Sequence, residues 1–138
     1  MGCSSSPTVE YDSKPKKREI SSSVSSFSSM NNQVKITEFG KYVGPLKNDK
    51  MEGKGIFYYT NDDRYEGDFK NDIKEGKGIY YYNNGNIYEG DFKKGKREGK
   101  GIMYYSNGDR EMGDYLNDNK NGKHVILTKN GKIKKKYY

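Results

Sequence analysis

From residue 42 onward, apolar and polar positions alternate in short runs punctuated by Gly and Asn, and the whole pattern returns every 23 residues. The stretch YEGDFKNDIKEGKGIYYYNNGNI (65–87) is followed directly by YEGDFKKGKREGKGIMYYSNGDR (88–110). Units begin at Tyr42, Tyr65, Tyr88 and Glu111. A typical unit has a Y-x-G-x-F run, a polar loop, a G-K-G step into an aromatic run, and a turn such as Asn84-Gly85, Asn107-Gly108 or Asn130-Gly131. Alternation with a period of two places every second side chain on one face of a strand. Two such strands per unit, each followed by a turn signal, predict a continuous antiparallel meander. A fixed period of this length marks an array in which each unit is one supersecondary element.

Within a unit the alternation sorts the side chains. Tyr65, Gly67 and Phe69 fall on one face, and Glu66, Asp68 and Lys70 on the other. On the next strand Gly76, Gly78, Tyr80 and Tyr82 form one set, and Tyr88, Gly90, Phe92, Gly99 and Gly101 repeat the scheme one unit later. Glycine weakens a strand, so its recurrence implies close approach of a ring or a backbone. With Phe69 placed across from Gly76, Gly67 meets Gly78 and Tyr65 meets Tyr80, a register that requires an even loop such as 71–74. Between units, keeping Tyr82 and Tyr88 on one face requires an odd loop, consistent with a bulged three-residue turn. The outer units deviate, as terminal repeats do. Pro45 and Leu46 stand where inner units have Asp and Phe, and Glu111 replaces the leading Tyr. His124, the single histidine, fills the second glycine slot and is expected to close it as a cap.

This pattern resembles the MORN-repeat family, whose units carry Y-x-G-x-[FW] followed by G-x-G and aromatics. The resemblance covers residues 42–133 in four units, 42–64, 65–87, 88–110 and 111–133, with full signatures in the second and third. It implies an all-β fold, an elongated single-layer antiparallel β-meander of hairpins. It also implies a membrane-associated or protein-binding scaffold, with acidic phospholipids and dimer partners among the ligands of such proteins.

Composition fits a thin, wet sheet. Only 30% of the chain is hydrophobic and 33% is charged, while Tyr and Phe number 14 and 5. Amphipathic rings can cover a sheet without building a dry interior. Residues 1–33 read differently: they are rich in Ser, carry a KPKKR patch, and have the composition of a disordered tether. The spacing of Ile20, Val24, Phe27 and Met30 nevertheless fits one face of a short helix. The division expected is a tether over 1–33 and a repeat sheet over 34–138, ending in the basic stretch 134–138.

The tail begins MGCSSS, which fits the pattern for myristoylation at Gly2, and the single cysteine, Cys3, sits beside it where a palmitoyl thioester would form. One acyl chain binds membranes marginally and two bind stably, so the pair reads as a dual anchor. No apolar run approaches the roughly 20 residues that span a bilayer. With one Cys and one His, no cysteine–histidine metal cluster and no disulfide framework is expected.

The net charge of +7 is spread over repeats in which Lys alternates with Glu and Asp. A nucleic-acid binder usually shows a basic stripe instead, so no nucleic acid is expected as a partner. Lys94, Lys96 and Arg97, with Lys134, Lys135 and Lys136, are the candidate contacts to acidic lipid. On the face opposite the glycine slots, Ile56, Ile79 and Ile102 recur, as do Tyr58, Tyr81 and Tyr104. A one-layer sheet has nothing of its own to cover such a strip, and domains normally bury an apolar face against a second layer. Two readings are open: a strip shielded by Lys stems and polar neighbours, or a site, on this strip or in the aromatic groove of the other face, for a helix of another protein, a second copy, or the chain's own residues 20–33.

Catalysis finds little support. Glu66, Asp68, Glu89 and Asp91 recur in equivalent surroundings, whereas acid–base work needs differentiated ones. EGKG does not meet the phosphate-loop pattern. No cofactor and no small-molecule substrate is expected. The expected role is a lipid-anchored adaptor that recruits a protein partner; acidic-phospholipid recognition and self-assembly in a membrane skeleton are the alternatives. The Lys-, Asn- and Tyr-rich wording resembles proteins of AT-rich protist genomes. The expected address is accordingly the cytoplasmic face of the plasma membrane or an underlying compartment such as a pellicle.

Overall fold

The computed structural model describes residues 32–138. The expected acylation sites and most of the tether lie outside them. Twelve strands follow in chain order: β1 (Gln33–Thr37), β2 (Gly40–Gly44), β3 (Leu46–Lys47), β4 (Lys50–Met51), β5 (Gly53–Tyr59), β6 (Arg64–Lys70), β7 (Ile73–Tyr81), β8 (Ile87–Lys93), β9 (Lys96–Tyr104), β10 (Arg110–Leu116), β11 (Asn119–Leu127) and β12 (Ile133–Tyr137). Ten of them form one antiparallel meander in the order β1-β2-β5-β6-β7-β8-β9-β10-β11-β12, and β3-β4 make a small separate pair. The fold is the expected single-layer sheet. Pro45 sits between β2 and β3, where it separates the first hairpin's tip from the main sheet.

Two kinds of turn alternate, and side-chain chemistry selects each. At the hairpin tips, Asn71-Asp72 join β6 to β7 and Asn117-Asp118 join β10 to β11, all four with positive φ. Two-residue turns of this hand match the twist of the strands and favour Asn, Asp and Gly. Between units the loop is longer: Tyr82 N–H donates to Asn86 O, Gly85 N–H donates to Tyr82 O, and Gly85 has a φ of 92°. This is the expected bulged turn of three residues, 83–85. In the first unit Asp62, with φ 70°, takes the glycine's place.

Part of the expected register needs correction. Gly67 does pair with Gly78 and Tyr65 with Tyr80, but Phe69 pairs with Lys74, and the register shifts between Gly67 and Phe69. The tip loop therefore has two residues, not four, and the surplus length of β7 is absorbed in a bulge around Gly76. Gly76, with φ 86°, faces Phe92 of the following strand, just as Gly53 faces Phe69. Gly76 and Gly99 thus permit a bulge; they are not the slots that receive rings.

The slots are Gly44, Gly55, Gly67, Gly78, Gly90 and Gly101, with Gly113 at the far end. A Cβ at Gly78 would collide with the ring and hydroxyl of Tyr65, and one at Gly101 with those of Tyr88. Each tyrosine lies flat across glycines and sends its hydroxyl to a carbonyl three residues on: Tyr42 to Pro45 O at 2.9 Å, Tyr65 to Asp68 O at 3.0 Å, Tyr88 to Asp91 O at 3.1 Å. Phenylalanines stand edge-on between successive tyrosines. Phe69 meets Tyr42 and Tyr65 at 5.1 Å each, and Phe92 meets Tyr65 at 5.0 Å and Tyr88 at 5.3 Å. Tyr115, His124 and Tyr138 continue the row. Edge-to-face pairs contribute about 0.5–1.5 kcal/mol each beyond the area they bury. The ladder stands in for a second layer on this face.

The two long edges of the array are also stitched. Glu52, Glu75 and Glu98 accept the N–H of Asn71, Lys94 and Asn117 at the next unit's tip, at 2.8–2.9 Å. At the opposite edge Asp63, Asn86 and Asp109 accept the N–H of Asn83, Ser106 and Lys129. The acidic residue of each EGKG step is therefore a turn cap for the following hairpin.

Candidate interaction surface

The sheet has two chemically distinct faces. The ladder face carries, beside its rings, one long side chain per unit at equivalent positions: Met51, Lys74, Arg97 and Lys120. The Lys74 ammonium lies 4.8 Å from the centroid of Tyr80 and 5.6 Å from that of Tyr65. Burial among these rings pushes its pKa below the usual lysine value. Burial pushes the ladder tyrosines up, Tyr42 and Tyr115 to about 12. Arg97 packs over Tyr88 and Tyr115 and pairs with Asp118. Of the residues expected to touch acidic lipid, Arg97 is thus engaged within this face, Lys94 lies in a tip turn, and Lys96 is exposed beside it. Lys134, Lys135 and Lys136 sit on β12, where alternation divides them between the two faces. The six do not form one patch.

At the far end the ladder changes chemistry. Where inner units pair a tyrosine with a glycine, the fourth has Glu111 and His124. The imidazole takes the tyrosine's space: a Cβ at Gly113 would strike it, and its Nε2 lies 2.8 Å from Asp114 O. His124 closes the slot, as expected, and also replaces the missing ring. The Glu111 carboxylate is buried and accepts hydrogen bonds from Lys120 (2.7 Å), Tyr105 (2.7 Å) and Tyr138 (2.8 Å), with His124 Nδ1 at 3.1 Å. Burial opposes its ionisation, yet these donors outweigh it and hold the carboxyl at about 2. The Lys120 partner is raised above the ordinary lysine range by the same bonds. Neither role was legible in the repeat pattern, which marks Glu111 only as a departure.

A carboxyl held lower in the folded than in the unfolded chain stabilises the fold above its unfolded value and loses that contribution as pH falls through the folded value. For Glu111 the window runs from its ordinary 4.5 down to about 2. The corresponding contribution at neutral pH is about 3 kcal/mol. The stability difference between wild type and Glu111→Gln, measured by denaturant unfolding at successive pH values, should be of that size at pH 7 and shrink across this window. A difference that stays constant from pH 7 to pH 2 would show that the carboxylate charge is not what holds the end of the array.

The opposite face carries the expected strip. Ile56 pairs with Glu66, Ile79 with Glu66 and Glu89, and Ile102 with Glu89 and Met112. Tyr58, Ile79, Ile102 and Tyr104 are half-buried, while Ile56 and Tyr81 are buried. Tyr81 has the Arg64 guanidinium 4.4 Å over its ring and donates to Glu66 Oε2 at 3.1 Å. Ile87, Arg64 and Met112 belong to this face too, positions that the 23-residue pattern could have supplied because they continue the same alternation. Alongside runs a groove of about 750 Å³ floored by Gly67, Gly78, Gly90 and Gly101 and edged by Ile79, Ile102 and Met112, with Lys54, Lys77 and Lys100 at its rim. Single exposed apolar residues need no explanation, but a contiguous strip of this kind usually marks an interaction site.

The recurring carboxylates are held by structural partners. Asp68 accepts the bulge N–H of Lys77, Asp91 pairs with Lys77, and Glu89 accepts from Tyr104. Among the described residues no group of three or more His, Cys, Asp or Glu side chains is placed to hold a metal ion, and no helix is long and apolar enough to cross a membrane. The family model described as MORN repeat matches residues 42–64, 65–87 and 88–110, three consecutive units with the boundaries that the sequence period assigns. The fourth unit, in which the tyrosine–glycine pair has become Glu111–His124, falls outside the match. No curated protein matches the chain.

Proposed function

Because this chain belongs to the MORN-repeat family, whose repeats are generally protein- or membrane-binding modules, we propose that it is a non-enzymatic, lipid-anchored scaffold. Its sheet holds a protein partner at a cytoplasmic membrane face. The observation that carries this reading is the apolar strip and groove through Ile79, Ile102 and Met112 on a face that no second described layer covers. On the ladder face, by contrast, the rings pack on one another, and Tyr42, Tyr65 and Tyr88 bond their hydroxyls to carbonyls of the same sheet. A partner that lays an apolar segment along the glycine floor would meet Ile79, Ile102 and Met112 and a rim of lysines. Acyl chains at Gly2 and Cys3 would supply the membrane half of the function, since two chains anchor stably where one does not. The terminal lysines add attraction to an anionic leaflet of about 1 kcal/mol each where they lie near it.

The test separates the two halves. Full-length chain and two variants, Gly2→Ala and Ile79→Asp/Ile102→Asp, are expressed in cells and fractionated, and their stoichiometric partners are compared by affinity purification. Gly2→Ala should move to the soluble fraction and keep its partner. The double variant should stay on membranes and lose it. Membrane retention of Gly2→Ala would instead favour direct acidic-phospholipid recognition by the repeats, and partner retention by the double variant would remove the strip from the account.

A further inference from the structure

The junctions between units follow one rule with one exception. At each, the tip of a hairpin docks on a residue of the preceding unit. Asp72 N–H donates to Met51 O, and its carboxylate takes the Met51 N–H at 2.8 Å. Asp118 N–H donates to Arg97 O, and its carboxylate takes the Arg97 N–H at 2.8 Å and pairs with the guanidinium. At the junction between these two the tip is Lys94-Gly95. Gly95 N–H still donates to Lys74 O, at 2.9 Å, but glycine supplies no carboxylate. Its φ of 82° is close to the 69° and 71° of Asp72 and Asp118. A Cβ there would meet only Ile73, at 3.7 Å, an ordinary contact. The backbone and the space thus suit an aspartate, and the sequence has a glycine with a second cation beside it.

The cation that such a carboxylate would serve is left to rings. The Lys74 ammonium lies 4.8–5.9 Å from the centroids of Tyr59, Tyr65, Tyr80 and Phe92. Among the described residues no carboxylate pairs with it; Asp118 and Asp63 act on it only from farther away. Its counterparts Arg97 and Lys120 have Asp118 and Glu111. Lys74, Lys94 and Gly95 line a groove of about 710 Å³ whose apolar walls are Phe39, Met51, Phe57, Tyr59, Phe69 and Ile73. Lys35 and Asp72, which also line it, neutralise each other. Glu38 lies on the turn after β1, four strands away from Lys74. The uncompensated charge of the groove is therefore positive and sits at its Lys74 end.

We propose that this end of the groove binds an acidic side chain of a partner protein. An Asp or Glu carboxylate takes the place that Asp72 and Asp118 fill at the neighbouring junctions, against the Lys74 N–H and ammonium and beside Lys94. Apolar residues flanking it in the partner lie on Phe39, Phe69 and Ile73. Among rings such a charge-assisted bond is stronger than on open surface. A protein segment suits the groove better than a lipid headgroup, because side chains next to the acid can fill the apolar walls, whereas a headgroup's apolar chains stay in the bilayer. The site lies on the face opposite the Ile79–Ile102 strip and does not rest on that reading.

The experiment titrates the full chain with two pools of blocked pentapeptides, one with a central aspartate and one with a central asparagine, flanked on each side by Leu, Ile, Met or Phe. Affinity is measured together with the Lys74 amide and ε-methylene resonances. The aspartate pool should bind about tenfold more tightly, the size of one charge-assisted hydrogen bond, and shift the Lys74 signals. Gly95→Asp supplies the carboxylate in cis, and Lys74→Met places there the residue that stands at 51. Each should abolish the difference between the pools, and Gly95→Asp should leave Tm unchanged or higher. Ile79→Asp/Ile102→Asp should leave the difference in place, so this proposal and the strip reading fail separately. Equal affinity of the two pools for the wild type, or an aspartate preference that survives both substitutions, would overturn the proposal. Lys74 shifts produced by phosphatidylserine-containing vesicles but by neither pool would overturn it in favour of a headgroup.

Discussion

Gly78→Ala should destabilise the sheet by about 3 kcal/mol or more, at or beyond the upper end of what overpacking usually costs. The added methyl would enter the space of the Tyr65 ring, which is fully buried. That ring has no alternative position. Phe69 and Phe92 hold it edge-on from either side at 5.1 and 5.0 Å, and its hydroxyl is bonded to Asp68 O. The strand must therefore shift, and the hairpins on both sides must shift with it. For a domain of this size, 3 kcal/mol corresponds to a melting temperature lower by roughly 12–24 °C. Gly131→Ala is the control. Unlike Gly78 it has positive φ, and nothing lies within 4 Å of the added Cβ. It should cost only the backbone penalty, about 1 kcal/mol. A loss at Gly78→Ala no larger than that at Gly131→Ala, measured by thermal unfolding, would mean that ring nesting contributes little.

Phe92→Ala should cost about 4 kcal/mol, and its effect should spread. Phe92 is buried at the junction of two units, in contact with Tyr65 of one and Tyr88 of the next. In a repeat array each unit is stabilised chiefly by its neighbours, so removing the shared ring weakens an interface as well as a hairpin. Hydrogen exchange should show lost protection across β6 to β9 together, with β1 and β2 least affected. Loss confined to β8 and β9 would indicate that the hairpins are energetically independent. The Glu111→Gln comparison tests the same cooperativity from the array's end, where the His124 ring fills the glycine slot and Glu111 is held by Lys120, Tyr105 and Tyr138.

How much of this was readable beforehand varies with the physical range of each feature. The alternation of Tyr, Gly and Phe places rings and slots on one face because strand geometry leaves no other option. Tyr65 opposite Tyr80 and Gly67 opposite Gly78 follow from it. The three-residue turn at 83–85 was legible because parity alone demands an odd loop. Phe69 was misplaced because Asn71-Asp72 can close a hairpin in two residues, and the surplus then enters a bulge at Gly76. Nothing in the alternation distinguishes a bulge from a longer loop. The caps at Glu52, Glu75 and Glu98 escaped notice because they act on the next unit, 19 residues on. The paired exchange to Glu111 and His124 showed as two separate departures, since the sequence does not say that the positions touch.

The sequence by itself determined that the chain is a one-layer array of hairpins with rings laid over glycines. Period, parity and the absence of a side chain are properties of short segments, and they act wherever the segment is placed. Only the tertiary structure decided which side chains meet between units: the cations set among rings, the carboxylate held by three donors, the apolar strip beside its glycine-floored groove. Those depend on distances between residues from different hairpins, fixed only once every hairpin has settled against its neighbours.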